Sequence, residues 1–96
     1  MRMMLKMTIP AGRGNTAYKD GSLQKAIEAT MNKIKPECAY FGPSNGRRSA
    51  TFVFNLEKES DIVGVLEPLW ESLEPEIELG PVMTIEDLAT GMQAAG

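Results

Sequence analysis

Three observations predict a single α+β domain made of two strand–helix–strand units. Apolar residues recur along the chain with period two, then at helical spacing, in the order strand, helix, strand, strand, helix, strand. Asn45-Gly46 separates the two middle strands, where a tight hairpin needs positive φ. The 96 residues suit one domain, 1–96, and 43% of them are hydrophobic, enough for a packed core.

Residues 2–9 read as the first strand. Met3, Leu5, Met7 and Ile9 alternate with Met4, Lys6 and Thr8, and Pro10 ends the strand by removing a donor. Residues 10–21 hold three glycines and a proline and are expected to form a long loop that covers part of the domain. Ser22 is the expected N-cap of a helix through Lys35, with Leu23, Ala26, Ile27, Thr30, Met31 and Ile34 as its buried stripe. Pro36 stops it.

The next strands are 37–42 and 47–56, joined by Gly42-Pro43-Ser44-Asn45-Gly46. In the second of them Ala50, Phe52 and Phe54 alternate with Thr51, Val53 and Asn55. Ser60 opens a helix whose expected buried stripe is Ile62, Leu66, Leu69, Trp70 and Leu73. Pro68 conflicts with its interior, because proline lacks the amide and clashes with the carbonyl four residues back, at Gly64. A kink or two short helices are expected there. The last strand, 76–83, should bulge or leave the sheet at Gly80-Pro81. Thr84 and Asp87 then have the spacing of a capping box for a short terminal helix. Leu88, Ala89 and Met92 would lay that helix on the body or on a partner.

Each strand–helix–strand unit favours a right-handed crossover, and two such units joined by a hairpin give the ferredoxin-like βαββαβ arrangement, a four-stranded antiparallel sheet. Helices then cover one face of the sheet. The other face keeps Met4, Val53 and one set of hairpin aromatics, and a domain this short buries only roughly 60–65% of its unfolded surface. A homodimer, sheet against sheet, resolves both facts. The methionines of the first strand suit core or dimer packing.

Composition narrows the function classes. A net charge of -3 with scattered basic residues argues against nucleic acid, and the densest basic pair, Arg47-Arg48, reads as a surface loop. One cysteine, Cys38, excludes an intrachain disulfide and fits a reducing, cytoplasmic setting. No apolar run approaches the ~18 residues of a membrane helix, and Met1–Lys6 lacks the apolar core and cleavage site of a signal peptide. No histidine is present, and neither metal-ligand nor phosphate-loop spacing occurs, so no metal and no cofactor are expected.

The runs Tyr40-Phe41, Ala50-Thr51-Phe52-Val53-Phe54, Leu66-Glu67-Pro68-Leu69-Trp70 and Pro81-Val82-Met83-Thr84 resemble small proteins of the dimeric α+β barrel superfamily. The likeness covers about residues 38–90. It implies a ferredoxin-like protomer whose sheet pairs with a second copy. Members of that superfamily include cofactor-free monooxygenases, haem-degrading enzymes and muconolactone isomerases. The absence of histidine excludes histidine-based haem ligation and acid–base chemistry in this chain.

Tyr40, Asn55 and Trp70 are the candidate ligand-binding residues. Tyr and Trp pair an apolar body with one polar tip, and Asn55 both donates and accepts. Read structurally, the two aromatics are core and Asn55 caps a strand end. Lys6 or Thr8 would lie near the mouth of a pocket between sheet and helices. Arg13, with Lys19, would close over an anion from the 10–21 loop. Glu76 and Glu78 share a strand face; they read as a solvated edge rather than an acid–base pair. No catalytic set emerges. The expectation is a non-catalytic homodimeric module that binds a small organic ligand or a protein. The alternative is a cofactor-independent monooxygenase or isomerase acting on a small aromatic or lactone-like compound.

Overall fold

A computed structural model describes residues Met1–Gly96. The strands are β1 (Arg2–Thr8), β2 (Cys38–Ser44), β3 (Arg47–Asn55) and β4 (Glu76–Pro81), and the helices are α1 (Ala11–Asp20), α2 (Ser22–Ile34), α3 (Asp61–Leu73) and α4 (Ile85–Ala95). The strands form one antiparallel sheet in the order β2-β3-β1-β4, the ferredoxin-like order. In the register, Leu5 lies between Phe52 and Leu79, and Met7 between Ala50 and Ile77. The period-two pattern therefore turns one apolar row of each strand to the same side.

The core lies between that side and the helices. Met3, Leu5, Met7 and Ile9 meet Ala50, Phe52 and Phe54 in the sheet, and Ile34, Val65, Leu66, Leu69 and Leu73 come down from α2 and α3. Leu23, Ala26, Ile27 and Met31 pack against this cluster. Thr30 is the buried polar side chain of the stripe, and its hydroxyl donates to the Ala26 carbonyl at 2.8 Å.

Several expectations need correction. The 10–21 segment is a helix, not a loop. Pro10 stands at its N-cap with φ -56°, where a missing amide costs nothing, and its carbonyl accepts the first helical bond from Gly14 N at 2.8 Å. Tertiary contacts then outweigh the poor propensity of the glycines. Ala17 is fully buried, and a Cβ at Gly14 would come within 2.9 Å of Arg48 Nη1. Gly21, at φ 84°, ends α1 and starts α2. The Ser22 side chain makes no cap bond; the Ser22 amide instead donates to Asp20 Oδ1 at 2.8 Å.

The hairpin is tighter than the sequence suggests. Asn45 (φ 53°) and Gly46 (φ 75°) form the turn, so Pro43 and Ser44 stay in β2, opposite Arg48 and Arg47. Proline is tolerated because β2 is an edge strand. Arg47 and Arg48 accordingly start a strand and do not sit in a loop. In β4, pairing runs without a bulge through Gly80↔Met4 and Pro81↔Met3 and then ends, short of residue 83.

α3 is continuous through Pro68. The carbonyl that Pro68 leaves without a donor, Gly64 O, accepts from Lys33 Nζ of α2 at 2.6 Å. The conflict read in the sequence is thus resolved by a neighbouring helix. On α3, Val65 takes the place expected for Trp70, which is 42% exposed. Lys33→Met should cost about 1 kcal/mol, the net worth of one such bond. Pro68→Ala should stabilise by about 1–2 kcal/mol, the proline penalty of ~3 kcal/mol less its restraint on the unfolded chain and the bond that Lys33 already supplies. In the Pro68→Ala background the residue-68 amide fills the carbonyl, so Lys33→Met should then cost nearly nothing. Urea unfolding of the four proteins checks this, and equal Lys33 costs in both backgrounds would refute it.

Candidate functional site

The sheet register brings part of the candidate set together. Tyr40, Thr51 and Lys6 lie side by side across β2, β3 and β1 on the face away from the helices. With Ser44 and Ser49 they line a shallow depression of about 280 Å³. Thr8 follows in the next row, between Ser49 and Glu76. Tyr40 is not core: it is 72% exposed. Glu78 pairs across from Lys6, and Glu76 reaches Arg47 Nη1 at 3.8 Å, so the two glutamates face basic neighbours on one surface.

The remaining candidates lie elsewhere. Asn55, at the end of β3, accepts from the Met1 amino group at 2.8 Å, which is the strand-end role. Trp70 is on α3, in the helical layer. Arg13 is on α1 and its Nε donates to the Ser72 carbonyl at 2.7 Å, so it ties α1 to the last turn of α3. Lys19 is in the last turn of α1. Tyr40, Asn55 and Trp70 do not converge. No group of three or more His, Cys, Asp or Glu side chains is placed to hold a metal.

A second concavity lies between sheet and helices, lined by none of the candidate residues. A crevice of about 580 Å³ opens between α1–α2 and the β2–β3 hairpin. Its walls are Met7, Ile9, Leu23, Ile27, Phe41 and Ala50. Phe41 meets Phe52 edge-on, with ring centroids 5.8 Å apart. Lys6 and Thr8 do not line it; Arg48 and Asn15 do. Arg48 Nη1 donates to Asn15 Oδ1 at 3.1 Å, and its guanidinium lies 5.7 Å from the centre of the Tyr18 ring. The signal was present in the sequence: residue 48 shares the inward parity of Ala50, Phe52 and Phe54, an odd place for an arginine.

The sheet face away from the helices carries Met4, Val53 and Cys38 beside Tyr40. α4 does not cover it. None of its residues is buried, and its apolar positions Ile85, Leu88 and Met92 are exposed. Its start is held by the capping box, Asp87 N to Thr84 Oγ1 and Thr84 N to Asp87 Oδ2, each 3.2 Å. Arg2 bridges Glu37 at 2.5 Å and Asp87 at 3.7 Å. The bond to Glu37, with that carboxylate's charge, raises the Arg2 pKa.

The Thr84 amide, then the Thr84 hydroxyl, then the Arg2 charge favour the ionised form of Asp87 and lower its pKa. The Asp20 pKa is lowered as well, by Ser22, whose amide donates to Asp20 Oδ1 at 2.8 Å. A carboxylate whose folded pKa is depressed stabilises above its unfolded pKa, and that contribution is lost as pH falls through the folded value. Amide exchange in the first turn of α4 should therefore speed up as pH drops below the usual carboxylate range, after correction for intrinsic rates. Asp87→Asn should remove most of that dependence; an unchanged profile would contradict the assignment.

No protein-family model matches the sequence, and no curated protein matches it. Among solved structures, the de novo designed protein Ferredog-Diesel is similar: TM-score 0.50, 7% sequence identity, covering 84% of this chain and 85% of that one. At that identity the likeness concerns the fold.

Proposed function

We propose that the chain is a non-catalytic homodimeric module of the dimeric α+β barrel type, two copies meeting sheet to sheet, that holds a small organic ligand. The observation that carries the dimer is surface area. A compact monomer of this mass, 10.5 kDa, should expose about 5,400 Å² by the usual scaling. This chain exposes 6450 Å². The excess, on the order of 1,000 Å², is comparable to the ~800 Å² that each partner contributes to a standard interface. It is accompanied by a small apolar patch on the open sheet face, Met4 and Val53 beside Cys38 and Tyr40 on a surface that also carries Lys6, Thr51, Glu76 and Glu78, and by an α4 stripe of exposed Ile85, Leu88 and Met92. The enzymatic alternative requires Tyr40, Asn55 and Trp70 around one substrate, and their separation gives it no support.

Light scattering on the eluting protein tests this reading. A mass twice 10.5 kDa is expected at micromolar concentration. A single-chain mass that persists to several hundred micromolar would overturn it.

A further inference from the structure

From the crevice between α1–α2 and the hairpin we infer a binding site for a small amphipathic organic anion, a carboxylate on an aromatic or acyl body. The volume, about 580 Å³, falls in the ordinary range of ligand pockets, roughly 300–1,000 Å³. The walls are apolar, and no Asp or Glu is among the residues that line it. Arg48 lines it and takes part in none of the molecule's three ion pairs. Asn15 and the Tyr18 ring hold its guanidinium in place while engaging one of its nitrogens, Nη1. The remaining N–H groups meet no acceptor in the chain. A fixed guanidinium with free donors matches the two oxygens of a carboxylate, and the fit costs little side-chain entropy because the arginine is already ordered. An apolar body then fills the space against Leu23, Ile27 and Phe41. The inference rests on the proposed reading that the chain binds a small molecule; it does not depend on the dimer.

The test uses the full chain, isotopically labelled, with amide NMR shifts followed on addition of 1-naphthaleneacetate and of its uncharged counterpart 1-naphthaleneethanol. The acid should bind at least tenfold tighter. Its shifts should centre on Asn15, Leu23, Phe41 and Ala50, not on the sheet face around Val53 or on a second groove, between α2 and α3, that Ala29 and Pro68 line. Arg48→Lys keeps the charge but loses the planar fork, and should weaken the acid several-fold while barely affecting the alcohol. Leu23→Trp fills the crevice from the helix side and should weaken both, which covers the case in which the Arg48 variant loosens α1. Equal affinity for acid and alcohol, shifts centred elsewhere, or no shift at millimolar acid with a folded protein would each overturn the site. A single-chain mass with intact acid binding removes the dimer alone; a twofold mass without acid preference removes this site alone.

Discussion

Replacing Phe52 with alanine is expected to destabilise the domain by about 3–5 kcal/mol, the range for deleting a buried phenyl ring. Phe52 is fully buried on β3. In the register it lies between Leu5 of β1 and Ala39 of β2, so the void opens in the middle of the sheet where neither neighbour can collapse into it. It also removes the edge-on partner of Phe41. A domain of this size has a total stability near the low end of 5–15 kcal/mol, so the variant should be substantially unfolded at 37 °C. Tyr40→Ala, one position before Phe41 but on the exposed face, should change stability by under about 0.5 kcal/mol as long as the chain is held monomeric by dilution. Urea unfolding of both variants checks the pair. A Phe52→Ala cost below about 1 kcal/mol would mean that the core is not where the register puts it.

The second large effect concerns assembly. Val53 sits on the open face, between Met4 and Cys38. In the free chain a glutamate at this half-buried position should have little effect on folding. Across a twofold interface it places two carboxylates at the Met4–Val53–Cys38 patch, and unmatched buried charges cost about 2–5 kcal/mol each. Val53→Glu should therefore weaken the proposed dimer by about a thousandfold or more while the far-UV circular dichroism keeps its shape. A variant that keeps the wild-type mass at low micromolar concentration would place the interface elsewhere.

The strands were legible because their signal is local: alternation at Met3, Leu5, Met7 and Ile9 and at Ala50, Phe52 and Phe54 needs only the pleat, and Asn45-Gly46 needs only its own backbone. So was the capping box, which is contained in Thr84–Asp87. The misreadings share a cause, which is that another element decided the outcome. Glycines in 11–20 argue against a helix until Arg48 and Ser72 hold it from outside the segment. Pro68 argues for a break until Lys33 supplies the missing donor. Trp70 and Val65 flank the stripe of Ile62, Leu66, Leu69 and Leu73 on opposite sides, equally far from its centre by helical periodicity, and the packing of α3 buries Val65. For the site, residue type pointed to Tyr40, Asn55 and Trp70, yet their meeting depends on three-dimensional placement. Arg48 looks like half of a basic pair until the register of β3 gives it the inward parity of Ala50.

The central claim, that two sheets face each other, is tested most directly by a mixed sample of isotopically labelled and unlabelled chains, in which nuclear Overhauser effects are filtered for pairs between different molecules. Contacts from the Met4 and Val53 methyls of one copy to Val53, Tyr40 or the α4 side chains Leu88 and Met92 of the other are the predicted result. Intermolecular contacts confined to the helical layer, around Ala29 and Pro68, or none at millimolar protein, would contradict it.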